Sequence, residues 1–292
     1  MVNTRVGDGT GLQGEQALNQ QQKAERFQAL HQGPLFVIPN PWDAGSARLL
    51  AGFGFQALAT TSAGLAFALG RRDGEGSVSR DEALRNAADI VAATDLPVSA
   101  DLENGYGDTP EAAAETTRLA AAVGLVGSSI EDATGNAADP IYDFDLSVER
   151  VAAAAEAAHA LSFPYTFVAR AENFLHGRND LDDTIRRLQA YEKAGADVLF
   201  APGLPNLDAI RTVCASVTKP VNIVLGAKHT PYSLADLAAA GVRRVSTGSS
   251  FARAALTGLR DASLELLGPG TATYLDDAIS FAEVTALMAA KR

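Results

Sequence analysis

The chain has 292 residues, of which 47% are hydrophobic and 20% are charged, and its formal net charge is -11. An acidic chain without a visible basic patch is not expected to bind nucleic acid, and no apolar run is long enough to span a membrane. The length fits two average domains or one α/β barrel. The single cysteine, Cys214, excludes an intrachain disulfide and is consistent with a cytoplasmic location.

Residues 1–30 are predicted to form a flexible polar leader and a first helix. The chain begins MVNTRVGDGTGLQGEQ and lacks the apolar stretch that a secretory signal requires. No low-complexity linker and no fixed repeat follows this segment. Residues 31–292 are therefore predicted to form a single domain.

Short apolar runs recur along the domain and alternate with Ala-rich amphipathic segments such as Pro110–Val123 and Leu181–Ala194. Eight such alternations predict an α/β fold, a closed parallel (β/α)8 TIM barrel. An open doubly wound sheet is the alternative, although no Gly-rich dinucleotide fingerprint opens a helix. The predicted strands are Leu35–Ile38, Gln56–Thr60, Pro97–Asp101, Leu125–Glu131, Tyr165–Arg170, Asp197–Ala201, Pro220–Leu225 and Arg243–Thr247.

Two features lie outside the expected site. A further helix is predicted at Leu275–Lys291, and because it is surplus to a barrel it could pack on a neighbouring subunit or cap its own barrel. Cys214 falls in the helix before the seventh strand, at the wrong end of the barrel for catalysis, and is interpreted as a packing residue.

Acidic side chains gather at the carboxyl ends of the predicted strands, where barrel enzymes have their active sites. Asp73, Asp101, Glu103 and Glu131 would converge on one mouth and repel each other, and a divalent cation would relieve that repulsion. Oxygen ligands without a Cys or His cluster indicate Mg²⁺ or Mn²⁺ rather than zinc. The alternative is that these acids cap helices, as Asp108 is expected to do before Pro110.

Other residues at the strand ends are candidates for catalysis or substrate binding. Arg170 could clamp a substrate carboxylate, or it could pair with Glu131 or Glu172. His229 is a candidate acid or base, with a loop histidine of no catalytic role as the alternative. The candidates for the substrate pocket are Trp42, which could instead be a core residue, Asp43, Asn222 and the backbone N–H groups of Ser62, Ala63 and Gly64.

The motifs together resemble those of the isocitrate lyase/phosphoenolpyruvate mutase superfamily. The matching pieces occur in the family's order over about residues 34–250, and the D-x-[DE]-x-G-Y-G piece followed by I-E-D and A-R-x-[ED] is the specific part. Members break or make a C–C or P–C bond beside a 2-oxo or 2-hydroxy acid, with a metal that stabilises an enolate-like fragment. The pieces are PNPWDAGSARLL, TTSAGLAFALGRRDGEG, SADLENGYGD, GSSIEDATG, VARAENF, GADVLFAPGL and VNIVLGAKHTP.

The resemblance implies specific roles for the candidate residues. Asp101 would hold Mg²⁺, with Asp73, Glu103 and Glu131 around it, largely through water. Arg170 would reach the substrate's oxygens. The resemblance also implies that the last helix is exchanged between paired subunits of a homodimer or homotetramer. The residues implied to bind the substrate carboxylate are Ser62, Ala63 and Gly64.

The chain departs from the best-known members in the loop after the fourth strand. Isocitrate and methylisocitrate lyases carry K-[KR]-C-G-H there, whereas this chain has ATGNAADPIYDFDLSVER, without Cys, Lys or His. The Glu that follows the strand-7 Asn in those lyases is also absent. The proton donor would then be Tyr142, Asp143, His229 or a water on the metal.

The predicted function is that of a Mg²⁺-dependent lyase. It would cleave a C–C bond next to a small 2-oxo or 2-hydroxy carboxylic acid through a pyruvate-enolate-like intermediate. Oxaloacetate decarboxylation and P–C chemistry of the phosphonopyruvate hydrolase or mutase type are near alternatives. A non-catalytic carboxylate-binding relative is the alternative of another class, and the retained acids argue against it because clustered charge costs stability unless something uses it.

Overall fold

The computed structural model describes residues 18–226 and 232–289, and these residues form the predicted α/β barrel. All eight predicted strands are confirmed, each shortened by up to two residues at an end. The strands are β1 (Phe36–Ile38), β2 (Leu58–Ala59), β3 (Val98–Asp101), β4 (Gly127–Glu131), β5 (Thr166–Arg170), β6 (Val198–Phe200), β7 (Val221–Val224) and β8 (Arg244–Ser246).

Helices separate the strands, and most begin at a Ser, Thr, Asp or Asn side chain that accepts a hydrogen bond from the first turn. Thr109 rather than Asp108 caps the fifth helix, because the Thr109 hydroxyl accepts from the N–H of Ala112 at 3.2 Å. The helices are α1 (Gln20–Gln32), α2 (Ala44–Gly52), α3 (Ser62–Ala68), α4 (Arg80–Ala93), α5 (Pro110–Ala122), α6 (Phe144–His159), α7 (Leu181–Lys193), α8 (Leu207–Ser216), α9 (Leu234–Ala239), α10 (Ser250–Leu267) and α11 (Phe281–Met288).

The sheet is parallel and closes on itself. Its strand order is β1-β8-β7-β6-β5-β4-β3-β2, and its two ends meet where the N–H of Ala59 donates to the carbonyl of Pro39 at 3.0 Å. The Asn40 side chain adds a second link, because its Nδ2 donates to the carbonyl of Thr60 at 2.8 Å. The open doubly wound alternative is therefore wrong.

The strand register leads from the mouth of the barrel down to its other end. Arg170, the last residue of β5, pairs with Phe200; Phe200 pairs with Asn222; and Asn222 pairs with Arg244, the first residue of β8. Paired residues of parallel strands point to the same face, and tilted strands make such a path descend through the barrel. Arg170 and Arg244 therefore belong to the top and the bottom of one inward-facing ladder.

Helix α1 packs across the amino-terminal end of the barrel. The His31 ring lies edge-on between the rings of Phe27 and Phe36, at centroid distances of 4.8 Å and 5.0 Å. These side chains form a small apolar cluster with inward-facing residues of the first two strands. Residues 1–17 of the predicted leader lie outside the described residues, and the domain boundary near residue 30 stays a prediction.

The predicted helix at Leu275–Lys291 is partly wrong. Its first residues belong to a 3-10 turn at Thr273–Asp276, and α11 starts only after Ser280, whose side chain accepts from Glu283 N–H at 3.2 Å. Residue 291 lies outside the described residues. Helix α11 packs on α2 of its own chain, where Arg48 donates to the carbonyl of Met288. With one chain present, exchange between subunits stays a prediction.

Helices α10 and α11 leave large apolar side chains in solvent. Leu259, Leu267 and Phe281 are 65%, 84% and 89% exposed. In the described part of the chain, no helix is both long enough and apolar enough to cross a membrane.

Candidate active site

A cavity of about 190 Å³ lies inside the barrel at the carboxyl ends of the strands. It adjoins a wider groove of about 920 Å³ between the loops that follow β2 to β5, and Ser62, Asp73 and Arg170 line both spaces. Many of the side chains that line the cavity are polar. They include Asn40, Thr60, Thr61, Asp101, Ser129, Asn222, Arg244, Ser246 and Thr247.

Arg170 is the centre of an ion-pair cluster at the mouth. Its Nη1 lies 2.8 Å from Asp101 Oδ1 and 3.1 Å from Glu131 Oε2. Its Nη2 and Nε donate to Glu172 Oε1 at 2.7 Å and 3.0 Å, and its guanidinium packs over the ring of Phe200. The ion-pair alternative for Arg170 is therefore the arrangement present, and these carboxylates hold its pKa above the ordinary value.

Asp101 is fixed on its other side by the loop after β2. The hydroxyl of Ser62 donates to Asp101 Oδ2 at 2.9 Å, and the N–H of Ser62 approaches the same oxygen at 3.3 Å. The N–H of Asp101 in turn donates to the hydroxyl of Thr60 at 3.0 Å. The carboxylate that ends β3 is thus held between Ser62 and Arg170, in the wall of the cavity.

The cluster carries more negative charge than Arg170 neutralises. Burial, and then the charges of Asp101 and Asp73, raises the pKa of Glu103 to about 7. Burial is also the largest cause that raises the pKa of Glu131 well above its ordinary value and the pKa of Asp73 above its own. Burial and mutual repulsion therefore both destabilise the charged forms of these carboxylates. Added positive charge in the site would stabilise them.

The donor set fits a hydrated divalent cation. Among the described residues, no three or more His, Cys, Asp or Glu side chains already surround a common point. Mg²⁺ does not need such a cage, because it keeps several waters and binds one or two carboxylates. Asp101 could hold it directly, with Asp73, Glu103 and Glu131 in contact with its waters.

The loop that follows β3 is strained. Glu103 and Tyr106 have φ angles of 47° and 58°, which side chains rarely adopt, and Gly105 between them has φ 82°. Arg150 holds the loop from below, because its Nη1 donates to the carbonyl of Gly107 at 2.7 Å. Strain of this kind persists where the surrounding structure enforces it, and it is concentrated at functional sites.

The family model described as phosphoenolpyruvate phosphomutase matches residues 27–267, a range that contains every strand and every acid of the cluster. The chain belongs to the phosphoenolpyruvate phosphomutase family. The resemblance to the isocitrate lyase/phosphoenolpyruvate mutase superfamily is thereby confirmed.

Relatives of this family member are lyases and mutases. A protein of Burkholderia cenocepacia J2315, described provisionally as a lyase/mutase, has a crystal structure with 56% sequence identity and a TM-score of 0.90 over 93% of this chain and 97% of that chain. Oxaloacetate decarboxylase of Bradyrhizobium diazoefficiens is 29% identical over 272 residues, which are 90% of this chain and 91% of that protein. The crystal structure of 2,3-dimethylmalate lyase is 26% identical, with a TM-score of 0.81 over 91% of this chain and 95% of that chain.

In this member of the phosphoenolpyruvate phosphomutase family, the loop after β4 keeps its candidate proton donors away from the cavity. The hydroxyl of Tyr142 donates to Asp108 Oδ1 at 2.6 Å and accepts from Asn104 Nδ2 at 3.0 Å, and burial raises the pKa of Tyr142 to about 12. Asp143 caps α6 by accepting from the N–H of Asp145 at 3.0 Å. Tyr142 therefore supports the strained loop after β3, and its role as a proton donor stays a prediction.

The structure separates the substrate-binding candidates into two groups. Asn222, Ser62 and Ala63 line the cavity, whereas Trp42 and Asp43 do not. Asp43 is exposed, and its carboxylate caps α2 through the N–H of Ser46 at 2.7 Å. Asp43 therefore acts as a helix cap in this structure, and its role in substrate binding stays a prediction.

The backbone N–H of Gly64 is placed differently from expectation. The N–H of Gly64 donates to the hydroxyl of Thr61 at 3.2 Å and caps α3, so this N–H is not presented to the cavity. His229 lies outside the described residues, and its role as acid or base stays a prediction.

Sequence reasoning missed a buried residue that positions the mouth. Asp132 Oδ1 accepts from the N–H of Glu172 at 2.8 Å, and its Oδ2 accepts from the hydroxyl of Tyr191 at 2.6 Å and from Arg187 Nη1 at 3.1 Å. Asp132 thus connects the end of β4 to the end of β5 and to α7. Two features of the sequence could have indicated this residue. Asp132 directly follows Glu131 at a strand end, and Arg187 lies among the buried residues of a later helix, α7.

Proposed function

We propose that this protein is a Mg²⁺-dependent lyase that cleaves a C–C bond next to a small 2-oxo or 2-hydroxy carboxylic acid, through a pyruvate-enolate-like intermediate. The excess of buried carboxylates around Arg170 at the barrel mouth carries the proposal. Such a cluster costs stability unless a cation and a substrate use it. The relatives named oxaloacetate decarboxylase and, from Bacillus subtilis, 2-methylisocitrate lyase, each 29% identical, support this reaction class.

Asp101 and Arg170, which pair with each other in this structure, would each take a new partner when the cation and the substrate bind. Asp101 would hold the cation directly, and the waters around it would contact the neighbouring acids. When bound, Mg²⁺ supplies positive charge that stabilises the negative charge of an enolate. Arg170 Nη1 donates to Asp101 Oδ1 in this structure, and this N–H would bind a substrate carboxylate when Asp101 helps to hold the cation, a geometry that guanidinium favours.

Ser62 and Ala63 would orient the substrate from the opposite wall. Both residues line the cavity, and the Ser62 hydroxyl that now donates to Asp101 would be available to a substrate oxygen after the same exchange. The strained loop that carries Glu103 would keep this acid at the mouth throughout. Positioning of this kind lowers the entropic part of the barrier.

Oxaloacetate decarboxylation is the second candidate function. The observation that favours it is that Tyr142 and Asp143 are held by other groups, so the loop after β4 presents neither as a proton donor. Loss of CO₂ from a 2-oxo diacid leaves an enolate that can take its proton from water. Such a reaction needs fewer dedicated side chains than a reversible aldol-type cleavage.

We also propose that the protein is a homodimer or homotetramer. The exposed apolar side chains of α10 and α11 form the surface that a second copy would cover. A cytoplasmic location is proposed from the cysteine content alone.

The test is a Mg²⁺-dependent NMR screen with oxaloacetate, 2-methylisocitrate, 2,3-dimethylmalate and phosphonopyruvate. We expect the native protein to form pyruvate from one of them, and the productive acid names the reaction. Asp101→Asn should abolish turnover without loss of folding, whereas Asp208→Asn, at an exposed acid of α8, should not. Turnover that survives Asp101→Asn would contradict the metal assignment, and inactivity on all four acids without any effect of Mg²⁺ on thermal stability would contradict the function.

A further inference from the structure

Among the described residues, the buried guanidinium of Arg244 has neither a hydrogen-bond partner nor an ion-pair partner. It is the first residue of β8 and is 4% exposed. Its Nε and Nη1 have no hydrogen-bond partner, and in residues 18–226 and 232–289 no carboxylate forms an ion pair with it. Burial alone lowers the pKa of Arg244 to about 10. An unpaired guanidinium in a protein interior is strongly destabilising, so this arrangement calls for an anion.

The other fully buried arginines in the described part of the chain show the usual solution. Arg187 donates to the carboxylates of Asp132 and Asp183 at 3.1 Å and 2.9 Å. Arg150 donates to backbone carbonyls of the loop after β3. Both arginines therefore find their acceptors within the protein, and their role is structural. Arg244 differs from them because its Nε and Nη1 find no acceptor in the part of the chain that the structure describes.

Arg244 lies at the deep end of the cavity that begins at the catalytic mouth. It lines this cavity together with Asn222, its neighbour on the register ladder, and the path continues upward through Phe200 to Arg170. Beneath it, the ring of Phe27 lies 5.8 Å from the guanidinium carbon and closes the barrel. An anion that reaches Arg244 would therefore enter through the mouth.

Asn222 offers a second unsatisfied group at the same depth. Its side chain is 1% exposed, and its Nδ2 donates to the hydroxyl of Ser246 at 3.1 Å. Its Oδ1 has no hydrogen-bond partner among residues 18–226 and 232–289. The Asn222 amide rotated by 180° would accept from the hydroxyl of Ser246 and present its N–H₂ to the cavity. Buried polar groups are normally paired, so two unpaired neighbours indicate a site that a ligand completes.

We propose that Arg244 and Asn222 form an anion-binding site at the floor of the cavity, which takes the second, distal carboxylate of the substrate. This inference rests on the proposed function, because it assumes that the carboxylate beside the reacting bond lies at the mouth. Guanidinium binds a carboxylate through two parallel N–H···O bonds. The site therefore selects dicarboxylic over monocarboxylic acids, and Arg244 sets that specificity without taking part in bond cleavage.

The test compares the affinities of carboxylates for the native protein, Arg244→Met and Arg244→Lys by calorimetry with Mg²⁺ present. The probes are the diacids oxalate, malonate and succinate and the monoacids acetate and pyruvate. We expect the best diacid to lose at least tenfold in affinity for Arg244→Met, with partial recovery in Arg244→Lys and unchanged pyruvate binding. Arg243→Met is the matched control, because Arg243 is the exposed neighbour in sequence and donates to the carbonyl of Gly33.

A second readout separates a ligand site from a structural arginine. Without ligand, Arg244→Met should melt at a higher temperature than the native protein, because the substitution removes an unpaired buried charge. Equal affinity of the native protein and Arg244→Met for every diacid would overturn the proposal, as would a lower melting temperature of the ligand-free variant. Loss of acetate binding together with diacid binding would show that a free carboxylate occupies the floor and would overturn the distal-carboxylate assignment.

The proposed function and the floor site fail in distinguishable ways. If no acid is turned over but succinate affinity still depends on Arg244, the floor site stands and the lyase assignment fails. If turnover and its Mg²⁺ dependence are intact in Arg244→Met, with an unchanged KM for a diacid substrate, the floor site fails and the lyase assignment stands.

Discussion

His31 gives the protein a stability that depends on pH. Its ring is buried between two aromatic rings below the barrel, with Nδ1 2.9 Å from the carbonyl oxygen of Phe27, and Nε2 has no hydrogen-bond partner within the described ranges of the chain. Burial first, and then the positive charge of Arg244, lowers the pKa of His31 to about 3. In the unfolded chain the same ring titrates near the ordinary value of about 6.5.

The sign and size of the effect follow from these two pKa values. Because the pKa is lower in the folded protein, the unfolded chain binds the proton first as pH falls. The stabilisation is therefore present above pH 6.5 and is lost progressively between pH 6.5 and about 3. Each unit below 6.5 costs about 1.4 kcal/mol, so lowering the pH from 7 to 5 should cost about 2 kcal/mol of unfolding free energy from this group.

The assay is urea unfolding followed by circular dichroism at pH 7 and pH 5, for the native protein and His31→Phe. Phenylalanine retains the ring shape and cannot titrate. Since the acids of the mouth titrate in both proteins, the difference between the two pH dependences isolates His31. The native protein should lose about 2 kcal/mol more than the variant. Equal losses would refute the assignment of a neutral, buried His31.

Three further predictions concern the supports of the mouth and the outer surface. Asp132→Asn leaves Arg187 with a buried and partly uncompensated charge, and it should lower the unfolding free energy by about 3 kcal/mol in chemical denaturation. Arg150→Met removes the donors that hold the loop at residues 104–109, and it should increase hydrogen exchange there, while unchanged exchange would exclude this support. Leu259→Glu places a charge on the exposed face of α10, and it should reduce the mass found by light scattering if this face joins two copies.

The sequence determined the elements of this fold because each is encoded by residues close together in the chain. Alternation of apolar strands with amphipathic segments located all eight strands. Placing acids at strand ends also located the mouth, since parallel strands in a barrel end on the same side. The ends of the helices were predicted less accurately, as the shortened α11 shows, because the residue at which a helix ends depends on caps and packing.

Only the tertiary structure decided which polar groups meet. Arg170 and Asp101 are 69 residues apart in sequence, and Arg187 and Asp132 are 55 apart, so no local pattern could pair them. For the same reason the sequence could not show that Tyr142 is held away from the cavity. The lack of a hydrogen-bond acceptor for Arg244 among the described residues likewise depends on all the strands and helices that pack around it. A side chain's charge is written in the sequence, but its pairing and desolvation exist only after distant strands have closed into a barrel.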